Sequence, residues 1–336
     1  MPTSSAATAH HDPSQAQVWA GLVFIYLVWG STYLAIRIAV ETIPPFLQAS
    51  MRFIPAALLL FAFVAIRQRH LARRPTRDEL RDAAIVGTLL AVVGNGFVSF
   101  AEQTVPSGIA ALLIALTPAW FAIISWLAFG DRIPRVAAVG IAIGLAGVAI
   151  LSWPVGGAGD LEPIGLLALL LAPIGWSSGS AYAARRAKHP QPAAMSLGLQ
   201  MLFGGIVLFV IALARGEVAS FDAAAVDTGS WLALLYLMLM GSLASWTVYA
   251  WLLQNAPLPL IGTYAYVNPI IAVILGAIVL SEPISPRTIV AGAVIIVGVA
   301  LVVTARGRMA QPAPRAASQP TERAVLATPR VVATED

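Results

Sequence analysis

One hydrophobic stretch occurs twice in this 336-residue chain, and the repeat constrains the fold more than any other feature. The first copy covers residues 103–133 and the second covers residues 254–284, at an offset of 151 residues (254 against 103). Each copy starts with Gln, carries a proline near its centre (Pro118 and Pro269) and places an acidic residue two positions before its end. About two dozen uncharged residues precede each acid, which is the length of a bilayer-spanning helix. The chain is therefore predicted to be a duplicated membrane protein.

The composition supports this interpretation, because 59% of the residues are hydrophobic and only 11% are charged. A soluble globular chain typically carries about 25% charged residues. The apolar residues form runs of about 18 to 24, each long enough to cross a bilayer. Each run is predicted to be a helix, because lipid offers the backbone no hydrogen-bond partners and the runs lack the period-two alternation of a β-barrel. The ten predicted spans are 19–39, 46–66, 83–101, 107–129, 134–153, 164–184, 193–214, 230–253, 258–280 and 286–304.

The connections between the spans predict the orientation of the chain. Basic residues are concentrated after the second, fourth and sixth spans, in residues 67–81, 132–135 and 185–188. The positive-inside rule then places these connections and both termini in the cytoplasm. Residues 1–18 are predicted to be a cytoplasmic N-terminal segment without a signal peptide, and the Pro- and Ala-rich residues 305–336 a disordered cytoplasmic tail.

Five spans fall in each half, residues 19–153 and residues 164–304. Because five is an odd number, the second half enters the membrane from the opposite side, and the halves are predicted to be inverted repeats. The predicted fold is an all-α integral membrane protein with ten transmembrane helices in two inverted five-helix repeats. Secondary transporters share this architecture and bind substrate near the midplane, where the repeats meet.

The paired prolines are the first candidates for a binding site. A proline inside a helix frees the carbonyl four residues earlier, and such a break is tolerated in lipid where it lines a cavity or packs against protein. Thr117 and Asn268 directly precede Pro118 and Pro269, and either side chain could cap the broken helix or reach inward. Ordinary structural kinks are the alternative for both prolines.

Aromatic and polar residues also recur on common helix faces. Positions three or four apart share a face, and four such pairs lie within the spans: Trp29 and Tyr33, Trp176 and Ser180, Trp246 and Tyr249, and Tyr264 and Asn268. Aromatic walls with a few polar groups suit an organic metabolite, and Trp and Tyr also favour cations. Packing in the protein core remains the alternative.

Two further polar positions lie within or beside the spans. Arg52 is the one charge well inside a span, so it is a functional candidate, and Glu102 at the end of the third span is its predicted partner. A purely structural pair that locks helices is the alternative. Asn95, between Gly94 and Gly96, is predicted either to line a cavity or to pack against a neighbour.

The sequence offers no sign of catalysis. It contains no cysteine, its four histidines lie outside the spans, and it lacks a P-loop, so we expect no catalytic residues, no metal site and no cofactor. The arginines are interpreted as orienting the helices, and no nucleic-acid partner is expected. No buried pair of acids marks a proton relay, so coupling to a proton is left open, with Glu102 as the candidate.

The motifs WGSTYLAIR at 29–37, ASMRF at 49–53, VGNG at 93–96, AEQTVPSG at 101–108 and AYVNP at 265–269 resemble the EamA family of the drug/metabolite transporter superfamily, most closely its YedA-type members. The resemblance extends over all ten spans. It implies two inverted five-helix repeats around a cavity lined by spans one, three, four, six, eight and nine. Carried over, it implies these pocket residues: Trp29, Tyr33, Asn95, Trp176, Trp246, Tyr264 and Asn268.

The resemblance also implies export of small metabolites, such as amino acids, or of drugs across the bacterial inner membrane. We therefore predict a secondary transporter that works by alternating access, with a small-molecule substrate and the lipid bilayer as partners. An uncoupled facilitator of the same metabolites is the first alternative, and a non-transporting membrane protein is the second. The sequence leaves open whether the protein is a monomer or a homodimer.

Overall fold

The structure, a computed structural model, describes residues 14–153 and 161–310. Its long helices are numbered α1 to α10 in chain order, and some are built from consecutive segments. They are α1 Gln15–Ala39, α2 Pro45–Arg67, α3 Arg77–Ala101, α4 Ser107–Phe129, α5 Arg135–Ser152, α6 Pro163–Arg185, α7 Ala193–Ala214, α8 (Thr228–Tyr236, Leu237–Ala244 and Ser245–Asn255), α9 (Leu258–Ile261 and Tyr264–Leu280) and α10 Pro286–Ala310. A short helix, Glu217–Ser220, precedes α8. No strand occurs in this part of the chain.

Nine of the described helices are long and apolar enough to cross a membrane. The exception is α9, whose apolar segment Tyr264–Leu280 has 17 residues because the helix is interrupted after Ile261. A complete tenth span therefore stays a prediction.

The outermost helices extend beyond the boundaries predicted from hydropathy. Helix α1 begins at Gln15, inside the segment predicted to precede the first span, because Ser14 and Gln17 form a reciprocal capping box. Helix α10 continues to Ala310, past the predicted start of the tail at residue 305. The rest of the predicted tail and residues 1–13 lie outside the described residues.

The most extensive contacts between helices are repeated when the two halves are exchanged. Helix α2 packs on α7, α5 on α10 and α4 on α9, so each of these pairs joins equivalent helices. The contact of α1 with α9 is matched by α6 with α4, and that of α1 with α8 by α6 with α3. The two halves therefore interlock across the molecule instead of folding side by side.

Glycines allow the close contact between α5 and α10. A Cβ atom added to Gly298 would lie 2.5 Å from the backbone nitrogen of Gly144 and 2.6 Å from the carbonyl oxygen of Gly140. Any larger residue would separate the backbones, so these glycines act in helix packing.

The interruptions of α4 and α9 do not lie at equivalent positions, although Pro118 and Pro269 do. In α4 the helix breaks at residues 115–116, and the Thr117 hydroxyl donates to the carbonyl of Ile114 at 2.6 Å. In α9 the Thr263 hydroxyl donates to the carbonyl three residues before it at 2.5 Å, and Pro269 lies within the next segment. Each break lies at or directly before a threonine whose hydroxyl satisfies a free carbonyl. The prediction of a break at both paired prolines is therefore wrong for Pro269, which lies within a continuous segment.

The third helix of each half contains a widened, π-helical stretch, at Thr88–Gly96 in α3 and Leu237–Ala244 in α8. The Asn95 amide donates to the carbonyl oxygen of Leu90, five residues earlier, at 3.0 Å. The Ser245 hydroxyl makes the equivalent bond to the carbonyl five residues before it at 2.7 Å. Such stretches are frequent at functional sites, and here both face the centre of the molecule.

Candidate functional site

A cavity of about 150 Å³ lies at the centre of the helices, with walls from α1–α4 and α6–α9. An apolar cavity of this size holds a molecule as large as benzene. The aromatic, polar and proline residues of its wall are Trp29, Thr32, Tyr33, Arg52, Phe53, Asn95, Thr117, Pro118, Trp176, Gln200, Trp246, Tyr264, Asn268 and Pro269. Both halves of the chain contribute to this wall.

The structure brings most of the predicted cavity residues together around this space. They are Trp29, Tyr33, Asn95, Thr117, Pro118, Trp176, Trp246, Tyr264, Asn268 and Pro269. Their contact with a substrate stays a prediction, because a shared wall does not identify a ligand.

Two predicted residues, Ser180 and Tyr249, are not among the lining residues. Near Ser180 the helices α6 and α3 approach closely, since a Cβ added to Gly179 would lie 2.9 Å from the Cβ of Leu89. Tyr249 lies behind the aromatic wall, with its ring centroid 5.2 Å from that of Trp29. The spacing of residues on a helix face therefore did not predict which of them line the cavity and which lie behind its wall.

Four aromatic side chains from four helices form one side of the cavity. Trp29 contacts Tyr264 edge to face at 5.0 Å between ring centroids, and Trp246 at 6.2 Å. Trp246 in turn lies 5.9 Å from Trp176. Offset and edge-to-face arrangements at these distances are the favoured geometries of aromatic rings, so the four rings stabilise one another.

A glycine lets Trp176 reach this position. A Cβ added to Gly94 would lie 2.9 Å from the Cε3 atom of Trp176, closer than real side chains approach. The glycines of the widened stretch in α3 therefore admit the indole of α6 to the wall, while Asn95 holds the stretch itself.

Arg52 lies on α2, and its side chain is buried in the cavity wall with 5% of its surface exposed. Its Nε donates to the hydroxyl of Ser242 on α8 at 2.8 Å, and its guanidinium lies 5.0 Å from the ring centroid of Phe53. The contact with Ser242 joins the two halves. Sequence reasoning missed this serine, although Gly241 and Ser242 place a glycine beside a polar residue, as Gly94 and Asn95 do in α3.

The predicted ion pair between Arg52 and Glu102 is wrong. Glu102 follows α3 and is fully buried, and neither of its carboxylate oxygens has a hydrogen-bond partner in the described chain. Its backbone carbonyl accepts instead from the guanidinium of Arg37 on α1. The end of α3 therefore packs against α1, away from the side chain of Arg52 on α2.

The surroundings of Glu102 favour a protonated carboxyl. Glu102 lies in the connection between α3 and α4, where burial raises its pKa well above the ordinary value and the negative charge of Glu282 raises it further. The nearby Arg37 lowers the pKa, by the smallest of the three contributions. Glu282 itself caps α4, accepting from the backbone nitrogens of Ser107 at 2.8 Å and Gly108 at 3.2 Å. Glu102 is not part of the cavity wall.

Comparison with known proteins finds one family in both halves. The model of the EamA-like transporter family matches residues 18–153 and again residues 163–304. The two matches correspond to α1–α5 and α6–α10.

Individual relatives are similar over most of their length. The uncharacterized inner membrane transporter YedA of Escherichia coli K12 is 39% identical over 287 residues, which cover 85% of this chain and 90% of the relative. A probable amino-acid metabolite efflux pump of Salmonella typhimurium is 22% identical, over 82% of this chain and 90% of the relative. A solved crystal structure matches with a TM-score of 0.59 and 21% identity, over 89% of this chain and 100% of the other, which shows a shared fold.

Proposed function

The chain belongs to the EamA-like transporter family, and we propose that it is a secondary transporter that exports small metabolites or drugs across the bacterial inner membrane by alternating access. Amino acids and related compounds are the first candidates for substrate, because one relative is named a probable amino-acid metabolite efflux pump. An inner-membrane location agrees with the name of the relative that is 39% identical.

The observation that carries the proposal is the central cavity, with its wall of aromatic rings and a few polar side chains from both halves. Binding sites for small organic molecules are mostly apolar, with a small number of polar groups that fix orientation. A cavity between repeats is also where secondary transporters hold substrate. No role in catalysis is proposed for any residue.

The proposed mechanism moves the two halves against each other around the bound substrate. The repetition of the most extensive helix contacts in both halves supports this, because exchanging the conformations of the halves would then give a second state open to the other side. The breaks in α4 and α9 and the widened turns in α3 and α8 are the points where the helices could bend. In this proposal the repeats are inverted, ten helices span the membrane and both termini are cytoplasmic.

Coupling to a proton is one version of the proposal, with Glu102 as the group that would carry it. The uncoupled facilitator is the alternative, and it is favoured by the position of Glu102 outside the cavity wall. A pH gradient across liposomes separates the two, because only the coupled transporter would accumulate substrate in response to it. A monomer and a homodimer are both compatible with the proposal.

The decisive experiment is a counterflow assay with purified protein in liposomes, using labelled amino acids, organic acids, sugars, nucleosides and organic cations. We expect one class to accumulate, and we expect Trp176→Ala to abolish this accumulation. Trp126→Ala is the matched control, because Trp126 is 52% exposed on the outside of α4 and takes no part in the cavity. Accumulation of no class would contradict the proposal and favour the non-transporting alternative. Equal transport by Trp176→Ala and the wild type would contradict the assignment of this cavity as the substrate site.

A further inference from the structure

Arg52 differs from the other described residues of the cavity wall, because it alone is charged at neutral pH. It is buried, and none of the ion pairs among the described residues includes it. A buried charge without a counter-ion is energetically costly. The wall therefore presents an uncompensated positive charge to whatever enters the cavity.

The guanidinium of Arg52 has unused donors. Of its five N–H groups, the one on Nε binds Ser242 and fixes the plane of the group. Those on Nη1 and Nη2 have no acceptor in the described chain. Gly241 leaves room beside them, since a Cβ added there would lie 3.3 Å from Nη2. Two parallel N–H donors match the two oxygens of a carboxylate.

The remainder of the wall restricts the rest of the ligand. Trp29, Trp176 and Trp246 offer aromatic surface, and the volume of about 150 Å³ accommodates a body the size of one ring. No aspartate or glutamate among the described lining residues could pair with an ammonium group. A single cation also cannot balance the two charges of a phosphate monoester. One negative charge on an apolar body therefore fits best.

Building on the proposed transport function, we infer that Arg52 binds the carboxylate of the substrate. Among the amino acids and related compounds proposed above, the preferred substrates are then small monocarboxylates that have an aromatic or other apolar body and no ammonium group. Arg52 and Ser242 hold the charged end in one half of the cavity. The tryptophans contact the body on the other side. Substrate is thus recognised by one fixed ion pair and by shape.

The test uses three ligands with the same body, namely 3-phenylpropionate, 3-phenylpropanol and 3-phenylpropylamine. Binding to the purified full-length protein at neutral pH is followed by tryptophan fluorescence and by thermal stabilisation. We expect the acid to bind on the order of tenfold more tightly than the alcohol or the amine, since a buried charge pair is lost with them. Phenylalanine, which adds an ammonium to the same acid, is expected to bind more weakly than 3-phenylpropionate.

Substitutions then assign the preference to Arg52. Arg52→Gln is expected to remove the preference for the acid, and Arg52→Lys to keep part of it, because lysine retains the charge but loses the paired donors. Arg135→Gln is the control, since Arg135 is exposed at the start of α5, and its affinity should equal that of the wild type. If Arg52→Gln does not fold, Arg52→Lys and Gly241→Ala replace it, and both should bind the acid more weakly.

Several results would overturn the inference. Equal binding of all three ligands would do so, as would tighter binding of phenylalanine, or wild-type affinity for the acid in a folded Arg52→Gln protein or in both replacement variants. Counterflow separates this failure from failure of the proposed function. If the liposomes accumulate another class but no carboxylate, the assignment of Arg52 is wrong and transport stands. If they accumulate no class, both proposals fail.

Discussion

Arg52 and Gln200 occupy corresponding places in α2 and α7, at an offset of 148 residues (200 against 52), and both line the cavity. Arg52 is held by Ser242 of the opposite half. Gln200 donates instead to the hydroxyl of Ser196 on its own helix, at 3.2 Å. The first half therefore contributes a charged side chain, Arg52, that is bound by the second half. The second half contributes at the corresponding place a neutral amide, Gln200, that is bound within its own helix.

The difference shows that the main helix contacts repeat while the polar groups of the cavity do not. The most extensive contacts between helices are repeated in the two halves, which suits the proposed movement between two states. A site with identical groups on both sides would hold a substrate equally well in two orientations. A single charge on one side would favour one orientation, so we infer that the asymmetry serves the proposed recognition and the repeated packing the proposed movement.

The largest effect on transport is expected from moving the positive charge from one half to the other. In the double variant Arg52→Gln/Gln200→Arg the cavity keeps one arginine, but we expect transport to stay about tenfold or more below the wild type. The reason is that the new arginine at position 200 would lack the partner that Ser242 provides for Arg52. When Asn95 and Ser245 are aligned, the position equivalent to Ser242 is Val92, whose side chain cannot accept a hydrogen bond. Initial rates of counterflow in liposomes measure the effect.

Gln200→Arg alone serves as the control for the double variant, because it introduces the same new arginine while leaving Arg52 in place. Size-exclusion chromatography identifies variants that have failed to fold. Wild-type transport by the folded double variant would show that the position of the charge, and with it the asymmetry between the halves, is unimportant.

A smaller effect is expected from crowding Arg52 without changing its charge. In Gly241→Ala the new methyl group would lie 3.3 Å from Nη2 of Arg52 and 3.1 Å from Cγ2 of Thr32. We expect the KM for transport to rise several-fold with little change in kcat, because ligand would bind less well beside the displaced guanidinium. Gly292→Ala is the matched control, since its methyl group would meet Leu112 at 3.2 Å, outside the cavity. Equal KM values in both variants would argue against a role for the space beside Arg52.

Hydropathy predicted the positions of most helices, because the bilayer fixes the length of an apolar run. The predicted span 107–129 coincides with Ser107–Phe129, and 46–66 differs by one residue at each end from Pro45–Arg67. The third span was predicted to start at residue 83, but α3 begins at Arg77. A capping box of Thr76 and Glu79 starts this helix among polar residues, where an apolar pattern gives no signal.

The candidate site was predictable only in part. Spacing identified which residues share a helix face, and so it selected most of the cavity wall. It could not identify which faces meet, so Arg52 was paired with Glu102, whereas the packing of α2 on α8 gives it Ser242. The widened turns of α3 and α8 were also not foreseen, because they depend on side-chain bonds to carbonyls five residues away.

The two residues before the paired prolines offer a weaker test of the same asymmetry. Thr117 satisfies the carbonyl of Ile114, whereas Oδ1 of Asn268 is buried without a partner in the described chain. Thr117→Val should therefore lower the free energy of unfolding by about 1 kcal/mol, the usual contribution of such a hydrogen bond. Asn268→Leu should cost less, because an unsatisfied polar group is removed. Thermal denaturation in detergent measures both, with Thr117→Ser as the control that keeps the hydroxyl, and a greater loss for Asn268→Leu would contradict this account.

The smallest expected effect concerns Glu102, whose counterpart in the second half, at the offset of 151, is the apolar Leu253. Because burial raises the pKa of Glu102 in the folded protein, folding favours the protonated carboxyl, so stability is greatest at low pH and is lost as the pH rises. Glu102→Gln cannot ionise, and its denaturation midpoint should match the wild type near pH 4 and exceed it increasingly towards pH 8. Arg37 opposes the trend by stabilising the ionised form, so Arg37→Gln should widen the difference between Glu and Gln at position 102. A difference in midpoint that does not change with pH would show that the carboxyl is solvated, and the contrast with Leu253 would then have no consequence for stability.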